Sequence, residues 1–185
     1  MNVLLIITGL LYMKEDNENQ KDNTENSYEL FKAAQRDIIT INSIIKNEDF
    51  RLEDNVETVC CSAAEAVEKM LKAWILNTDK NIKVYGIHDL NKLQNITKKM
   101  NNSFFELEDR MIKLNNYTTE LRYNSYFTIE EHEVKECLEN LKYTYDFPLI
   151  KEARDTLNKD NKFNILPDNI GALFGKHYQR VESNK

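Results

Sequence analysis

An arginine and its aromatic neighbour offer the most direct chemistry in this sequence. Arg122 precedes Tyr123 at the end of an apolar repeat that is typical of an amphipathic helix. A guanidinium group binds phosphate through two parallel hydrogen bonds, and an adjacent tyrosine ring can stack on a nucleobase. Alternatively, Arg122 forms an ion pair with Glu68 or Asp89 and stabilises a helical bundle, because charged side chains inside proteins are usually paired.

Two histidines are candidates for proton transfer. His88 precedes Asp89, and an imidazole there could donate to a phosphate or take a proton from a ribose hydroxyl. Alternatively, His88 helps Asp89 to cap a helix that begins at this point, since Asp is a favoured N-cap residue. We expect Asp89 to be this N-cap and to border any ligand that His88 holds. The second candidate is His132.

A short charged stripe, formed by Glu65, Glu68, Lys69 and Lys72, interrupts the apolar helical pattern that extends from Val56 to Asn77. Glu68 and Lys72 are four residues apart, in the order that favours an ion pair along a helix. They form either a simple surface pair or a polar patch that faces Arg122. Lys69 either lines the same patch or points into solvent.

The elements that must position these residues are helices. Only 4 Gly and 2 Pro occur in 185 residues, which favours long helices joined by short loops over a sheet of many strands. The segment from Val56 to Asn77 is the central element, because its apolar residues recur every three or four positions. Its Trp74 is expected in the core or in an interface. The sequence therefore predicts an all-α domain.

The flanking helices follow from apolar spacing and from capping signals. Ser27 has an N-cap side chain, the pairs Ser103–Glu106 and Thr128–Glu131 have capping-box spacing, and Pro148 suits the first turn of a helix. The predicted helices besides the central one are Ser27 to Lys46, a short one from His88 to about Asn101, one from Ser103 to about Leu121, one from Thr128 to about Tyr145, and Pro148 to Leu157. The segments 47–54 and 78–86 are predicted to be loops.

The composition along the chain predicts three segments. They are an apolar start with a disordered linker at residues 1–26, a helical domain at 27–157, and a C-terminal tail at 158–185. The apolar run from Val3 to Met13 is too short to span a bilayer, which needs about 20 apolar residues. Three alternatives remain for it: translation begins at Met13, the run is an extra packing segment, or it is a signal peptide.

Charge and cysteine usage exclude several classes of protein. The net charge of −6 argues against an extended basic surface for duplex nucleic acid, so no sequence-specific reading of DNA is expected. Cys60, Cys61 and Cys137 lack the pairing of a disulfide framework and the ligand spacing of a zinc site. We interpret them as buried thiols in a reducing cytosol. The prediction is a cytoplasmic protein with no membrane span, no metal and no cofactor.

Four pieces of the sequence stand in an order that resembles the HEPN family, a helical family named for nucleotide binding in higher eukaryotes and prokaryotes. They are Ala33–Asp37, Ala66–Ala73, His88–Leu90 and Arg122–Tyr123. The resemblance covers about residues 28 to 157. It implies an antiparallel bundle of four to five helices, usually assembled as a homodimer, to which this sequence adds the short C-terminal helix.

The resemblance implies two functional classes. One is a metal-independent endoribonuclease of toxin–antitoxin and phage-defence systems. The other is a module that binds a nucleotide or RNA, or that works beside a minimal nucleotidyltransferase. The nuclease class carries an Arg followed within a few residues by a His, whereas here the next His after Arg122 is His132, ten positions on. Ala64 and Glu65 also replace a frequent Gln-Gln pair. The nuclease motif is therefore not matched, and the binding module is favoured.

The binding module would hold its ligand through side chains on these four pieces. The predicted ligand contacts are Arg122, Tyr123, Glu68, Lys69, Lys72, His88 and Asp89. In a ribonuclease, Arg122 would instead steady the scissile phosphate, and His88 or His132 would be the general base. A structural interaction domain without a ligand is the third alternative.

Overall fold

Helices make up most of the residues that the structure describes. This computed structural model describes residues 27–46, 52–105, 113–117, 129 and 131–161, and no strand occurs among them. The helices are α1 (Ser27–Lys46), α2 (Leu52–Thr78), α3 (Leu90–Met100), α4 (Glu131–Asp146) and α5 (Pro148–Asn161), with a further helical segment at 113–117. The predicted all-α class is confirmed.

The central helix of the described fold is α2, which packs against α1, α3, α4 and α5. Ala63, Ala64 and Ala66 are fully buried along it, and their small side chains let neighbouring helices approach closely. The helix begins four residues before the predicted Val56. The helix therefore extends into the segment that was predicted to be a loop.

The first two helices run antiparallel. The Ser27 hydroxyl donates to the carbonyl oxygen of Ala73 at 2.8 Å, and Nζ of Lys69 lies 2.6 Å from Oδ2 of Asp37 further along α1. The bounds predicted for α1 are confirmed, although the Ser27 hydroxyl bonds α2 rather than capping its own helix. The buried face of α1 repeats every three or four residues and consists of Leu30, Phe31, Ala34, Ile38, Ile41 and Ile45.

The third helix begins at Leu90, two residues after the predicted His88, and ends at Met100, just before the predicted break at Asn101. Asp89 is its N-cap and accepts hydrogen bonds from the backbone N–H groups of Asn91 and Lys92, while Asn101 is its C-cap. The next helix does not begin at Ser103, as the capping-box spacing predicted, because Phe104 and Phe105 are not helical. The N–H of Ser103 instead donates to Oδ1 of Asn101 at 2.9 Å, which forms a local turn.

The corner between α4 and α5 is stabilised by a buried arginine. Pro148 occupies the first position of α5, as predicted, and the helix continues to Asn161, beyond the predicted Leu157. Nη1 of Arg154 donates to the carbonyl oxygen of Tyr145 at 3.0 Å, and the guanidinium lies 3.8 Å from the centre of the Tyr145 ring. The arginine therefore satisfies one of the last carbonyl groups of α4.

One end of the bundle is closed by aromatic rings. Trp74 packs against Phe104 with 4.6 Å between ring centres, and Phe105 packs against Phe147 at the same distance. Trp74 is buried, which confirms its predicted place in the core. Among the helices described, none combines the length and the apolar character needed to cross a bilayer.

Candidate functional site

Glu68 and Lys72 form a buried ion pair on α2. Nζ of Lys72 lies 3.1 Å from Oε1 of Glu68, and the two side chains expose 3% of Lys72 and 9% of Glu68. The sequence left open a simple surface pair or a polar patch, and this burial excludes the surface pair. Each charge is tolerated in the protein interior because the other compensates it.

His88, in the loop that follows α2, contacts the same carboxylate oxygen. Its Nδ1 atom lies 3.1 Å from Oε1 of Glu68, although 65% of the His88 side chain is exposed. A carboxylate only accepts hydrogen bonds, so Nδ1 carries the proton in this contact. Nε2 of a neutral His88 is then an acceptor on a largely exposed ring, and an approaching ligand can reach it.

A tight turn sets the position of His88. The N–H of Ile87 donates to the carbonyl oxygen of Val84 at 3.2 Å, and Gly86 has φ +73°, which is the pattern of a type II turn. Val84 is buried, and Ile87 packs against the core. The turn is thus anchored on both sides, with Tyr85 exposed at its corner and His88 just after it.

The start of α3 has no backbone donor left for a ligand. The N–H groups of Asn91 and Lys92 donate to Oδ1 of Asp89, that of Leu90 donates to Oδ1 of Asn115 at 3.0 Å, and that of Leu93 to the Asp89 carbonyl. Asp89 therefore acts as the N-cap, as predicted. His88 does not share in this capping, because its described contact is with Glu68.

Lys69 belongs to a different cluster. Its ammonium lies 2.6 Å from Oδ2 of Asp37 on α1 and 3.0 Å from Oε2 of Glu65 on α2, and all three side chains are partly buried. Lys69 and Glu68 are adjacent in sequence and so point about 100° apart around the helix. The structure therefore does not bring Lys69 together with Glu68, Lys72 and His88.

Two carboxylates share one ammonium in this second cluster, and the pKa values of Asp37 and Lys69 are both raised above their usual values. Burial raises the pKa of Asp37 above its usual value, and the hydrogen bond from Lys69 only partly offsets this effect. Burial by itself would lower the pKa of Lys69, but the hydrogen bonds to Asp37 and Glu65 outweigh it and the pKa rises. The lysine therefore stays charged.

Three predicted site residues remain, and the structure describes only one of them, His132. Arg122 and Tyr123 lie outside the described residues, so their predicted contacts with phosphate and base stay predictions. His132 is exposed on α4. No sequence pattern predicted a role for Asp37 or for Tyr85, although the Tyr-Gly pair before His88 is a signal for an exposed ring on a tight turn.

Within the described residues, no three His, Cys, Asp or Glu side chains are grouped so that they could hold a metal ion. The arrangement around Glu68 is suited instead to hydrogen bonding and proton transfer through one oriented imidazole.

The sequence model of the HEPN domain matches residues 27–154, a range that includes α1 to α4 and the first half of α5. No curated protein and no solved structure matches the chain significantly. The match extends over most of the chain, and the described helices have the all-α arrangement that the resemblance implied. On this evidence the chain belongs to the HEPN domain family.

Proposed function

We propose that this HEPN domain binds a phosphate-bearing ligand, a nucleotide or an RNA, at the surface around His88. The observation that carries the proposal is the hydrogen bond of 3.1 Å between Nδ1 of His88 and Oε1 of Glu68. A buried ion pair is often no more stabilising than apolar side chains of similar volume. The presence of the Glu68–Lys72 pair therefore supports a role for Glu68 in orienting the exposed imidazole.

The residues of the site have different roles in this proposal. His88 contacts the ligand, either by accepting a hydrogen bond at Nε2 or, when protonated, by donating to a phosphate oxygen. Glu68 orients the ring. Lys72 balances the charge of Glu68 and does not contact the ligand, because its ammonium is buried. Arg122 and Tyr123 are kept as proposed contacts to the phosphate and the base.

Ligand-dependent thermal unfolding tests the proposal. A ligand that binds only the folded protein raises the melting temperature by mass action. We expect ATP, GTP or a short RNA at millimolar concentration to raise it for the wild type, and expect His88→Ala to remove most of the rise. Lys99→Ala, which removes an exposed charge near the end of α3, is the control and should keep the rise. No rise for the wild type with any of these ligands contradicts the proposal.

A second candidate function is endoribonuclease activity, and the Glu68–His88 contact also favours it. A carboxylate that fixes the imidazole with its proton on Nδ1 leaves Nε2 able to take the proton of a ribose 2′-hydroxyl. The 2′-oxygen would then bond to phosphorus, and the bond from phosphorus to the 5′-oxygen would break. The leaving oxygen takes a proton from an acid or from water, giving a cyclic phosphate and a 5′-hydroxyl.

A cleavage assay with labelled RNA in the presence of chelator decides between the two candidates. In the ribonuclease, His88→Ala and Arg122→Ala each abolish cleavage, whereas Glu68→Gln reduces it by disturbing the ring. Loss of cleavage in His132→Ala, with activity retained in His88→Ala, would show that the general base is His132 on α4. Binding without cleavage in the wild type leaves the binding module as the function.

We also propose the assembly that accompanies such a module, a homodimer that works beside a minimal nucleotidyltransferase in a toxin–antitoxin or defence setting. Family membership is the support for it. Light scattering of the purified chain tests the dimer, and co-expression with the product of a neighbouring nucleotidyltransferase gene tests the partner. A monomer that captures no such partner and no ligand would favour a structural interaction domain instead.

A further inference from the structure

The loop between α2 and α3 exposes no acidic side chain, although the chain as a whole is acidic. Its exposed side chains are basic, polar or aromatic, and none is acidic; they are Lys80, Asn81, Lys83, Tyr85 and His88. Both acidic residues of this stretch are only half-exposed and accept backbone hydrogen bonds, Asp79 from Asn81 and Asp89 from the start of α3. The exposed charged side chains of this loop are thus both lysines, on a chain of net charge −6.

The two lysines of the loop are not held by a carboxylate of the described residues. No ion pair there involves Lys80 or Lys83, whereas Lys69 and Lys72 each contact an acid. Free ammonium groups on a loop attract an anionic polymer, and the release of its counterions makes such binding favourable.

Tyr85 is presented to solvent by an anchored turn. It exposes 68% of its surface, against 47% for Ile39 and 45% for Tyr143, the other large hydrophobic residues described as exposed. Buried Val84 and the positive φ of Gly86 fix the backbone on both sides of the ring. An aromatic ring held in this way can stack on a base without first being ordered, which lowers the entropic cost of binding.

The loop brings these groups within reach of His88. Tyr85 and His88 are three positions apart in the chain, and three residues of extended chain span at most about 11 Å. Tyr85 and Lys83 are therefore positioned to meet nucleotides next to the one that His88 contacts. A neutral His88 accepts at Nε2, and the ribose 2′-hydroxyl is a donor that DNA lacks.

We propose that this loop, residues 79–89, is a docking surface for single-stranded RNA, in which Tyr85 stacks on a base and Lys80 and Lys83 contact the backbone phosphates. The inference rests on the proposed function, because it extends the ligand of His88 from a mononucleotide to a strand. A duplex does not fit, since its bases are already stacked on one another and unavailable to Tyr85.

Fluorescence anisotropy with a labelled 12-nucleotide RNA tests this surface. Tyr85→Ala should weaken binding by roughly 5- to 150-fold, the range for losing one stacked base, while Tyr85→Phe should retain it. The slope of log affinity against log salt concentration is negative, and each phosphate contact on a single strand contributes about 0.7 to its magnitude. The double variant Lys80→Ala/Lys83→Ala should therefore reduce that magnitude by about 1.4. The double variant Lys99→Ala/Lys151→Ala removes two exposed lysines elsewhere and should keep the wild-type slope.

The comparison ligands separate this inference from the proposed function. Duplex RNA, DNA of the same sequence and a polyphosphate of equal charge should all bind more weakly than the single-stranded RNA. Equal binding of the polyphosphate, or wild-type affinity in Tyr85→Ala, overturns the stacking surface, and equal binding of DNA overturns the preference for RNA. Mononucleotide binding that depends on His88, without any gain for the strand, overturns the loop and leaves the proposed function standing. RNA binding that depends on the loop but not on His88 overturns the proposed contact at His88 and leaves the docking surface standing.

Discussion

Nζ of Lys72 and Oε1 of Glu68 lie 3.1 Å apart in the interior of the bundle, and the same oxygen atom accepts from Nδ1 of His88. One carboxylate oxygen thus joins a buried cation to an exposed imidazole. The charge of Glu68 is compensated from within the protein, so its hydrogen bond to His88 does not depend on a ligand. The ring is therefore oriented before a ligand arrives, which reduces the entropy lost on binding.

Removing the cation from this arrangement should destabilise the fold. Lys72→Met leaves Glu68 buried without its ammonium partner, and we expect the free energy of unfolding to fall by about 3 kcal/mol, as for other broken buried pairs. Urea unfolding measures the change. The double variant Glu68→Leu/Lys72→Met removes both charges and should recover a large part of the loss. A double variant that is less stable than Lys72→Met would show that the pair is not compensated in this way.

The Asp37 cluster should make stability depend on pH. The pKa of Asp37 is raised in the folded protein, so the folded state binds a proton more readily than the unfolded chain, whose value is near 3.8. The contribution of Asp37 to stability therefore increases as the pH falls through the folded pKa, and it is fully present below 3.8.

Urea unfolding between pH 7 and pH 4 can detect this contribution. The wild type should gain stability relative to Asp37→Asn as the pH falls, because the variant has no carboxyl group to protonate. Glu152→Gln, which removes an exposed carboxylate on α5, controls for the loss of one negative charge. A stability difference between wild type and Asp37→Asn that stays constant over this range would contradict the raised pKa.

Two substitutions of Gly86, in the turn before His88, should destabilise the protein to different extents. Its φ of +73° is strained for a residue with a Cβ atom, although no neighbouring atom lies within 4 Å of where that Cβ would be. Gly86→Ala should therefore cost about 1 kcal/mol through backbone strain alone, whereas Gly86→Asn should cost less, because Asn tolerates this conformation better. Thermal unfolding of the two variants checks the order. Equal stability of Ala and Asn at this position would show that the turn relaxes.

The three cysteines should react at different rates. Cys60 and Cys137 are buried, whereas Cys61 is only half-buried. Burial raises the pKa of the Cys137 thiol well above 9.0, so this thiol stays protonated and unreactive. Alkylation of the native protein, followed by peptide mass spectrometry, should modify Cys61 first and Cys137 only on unfolding. Early modification of Cys137 would contradict its position between α4 and α2.

The helices could be predicted because each depends on local signals. The apolar repeat of α1, the Asp89 cap of α3 and Pro148 at the start of α5 are set by residues near them in the chain. The start of the helix after α3 was predicted wrongly. Ser103 and Glu106 have the spacing of a cap, but the side chain of Asn101 forms a competing turn and Phe104 packs on Trp74.

The partners of the charged side chains could be predicted only in part. The Glu68–Lys72 pair follows from its spacing along one helix, but its burial depends on the helices packed around α2. The bond from Lys69 to Asp37 joins residues 32 positions apart, and no sequence pattern specifies it. The contact of His88 with Glu68 depends on the path of the loop, which periodicity does not describe.

We propose that Glu68 holds His88 with its proton on Nδ1, so that Nε2 is the atom that contacts the ligand. Nuclear magnetic resonance of ¹⁵N-labelled imidazole groups tests it most directly, with a short single-stranded RNA added stepwise. We expect the Nδ1–H form for His88 in the wild type, its loss in Glu68→Gln, and a shift of the His88 Nε2 signal, but not of the His132 signals, as RNA binds. A His88 ring protonated on Nε2 alone, or a His88 signal that stays unmoved while RNA binds, would contradict it.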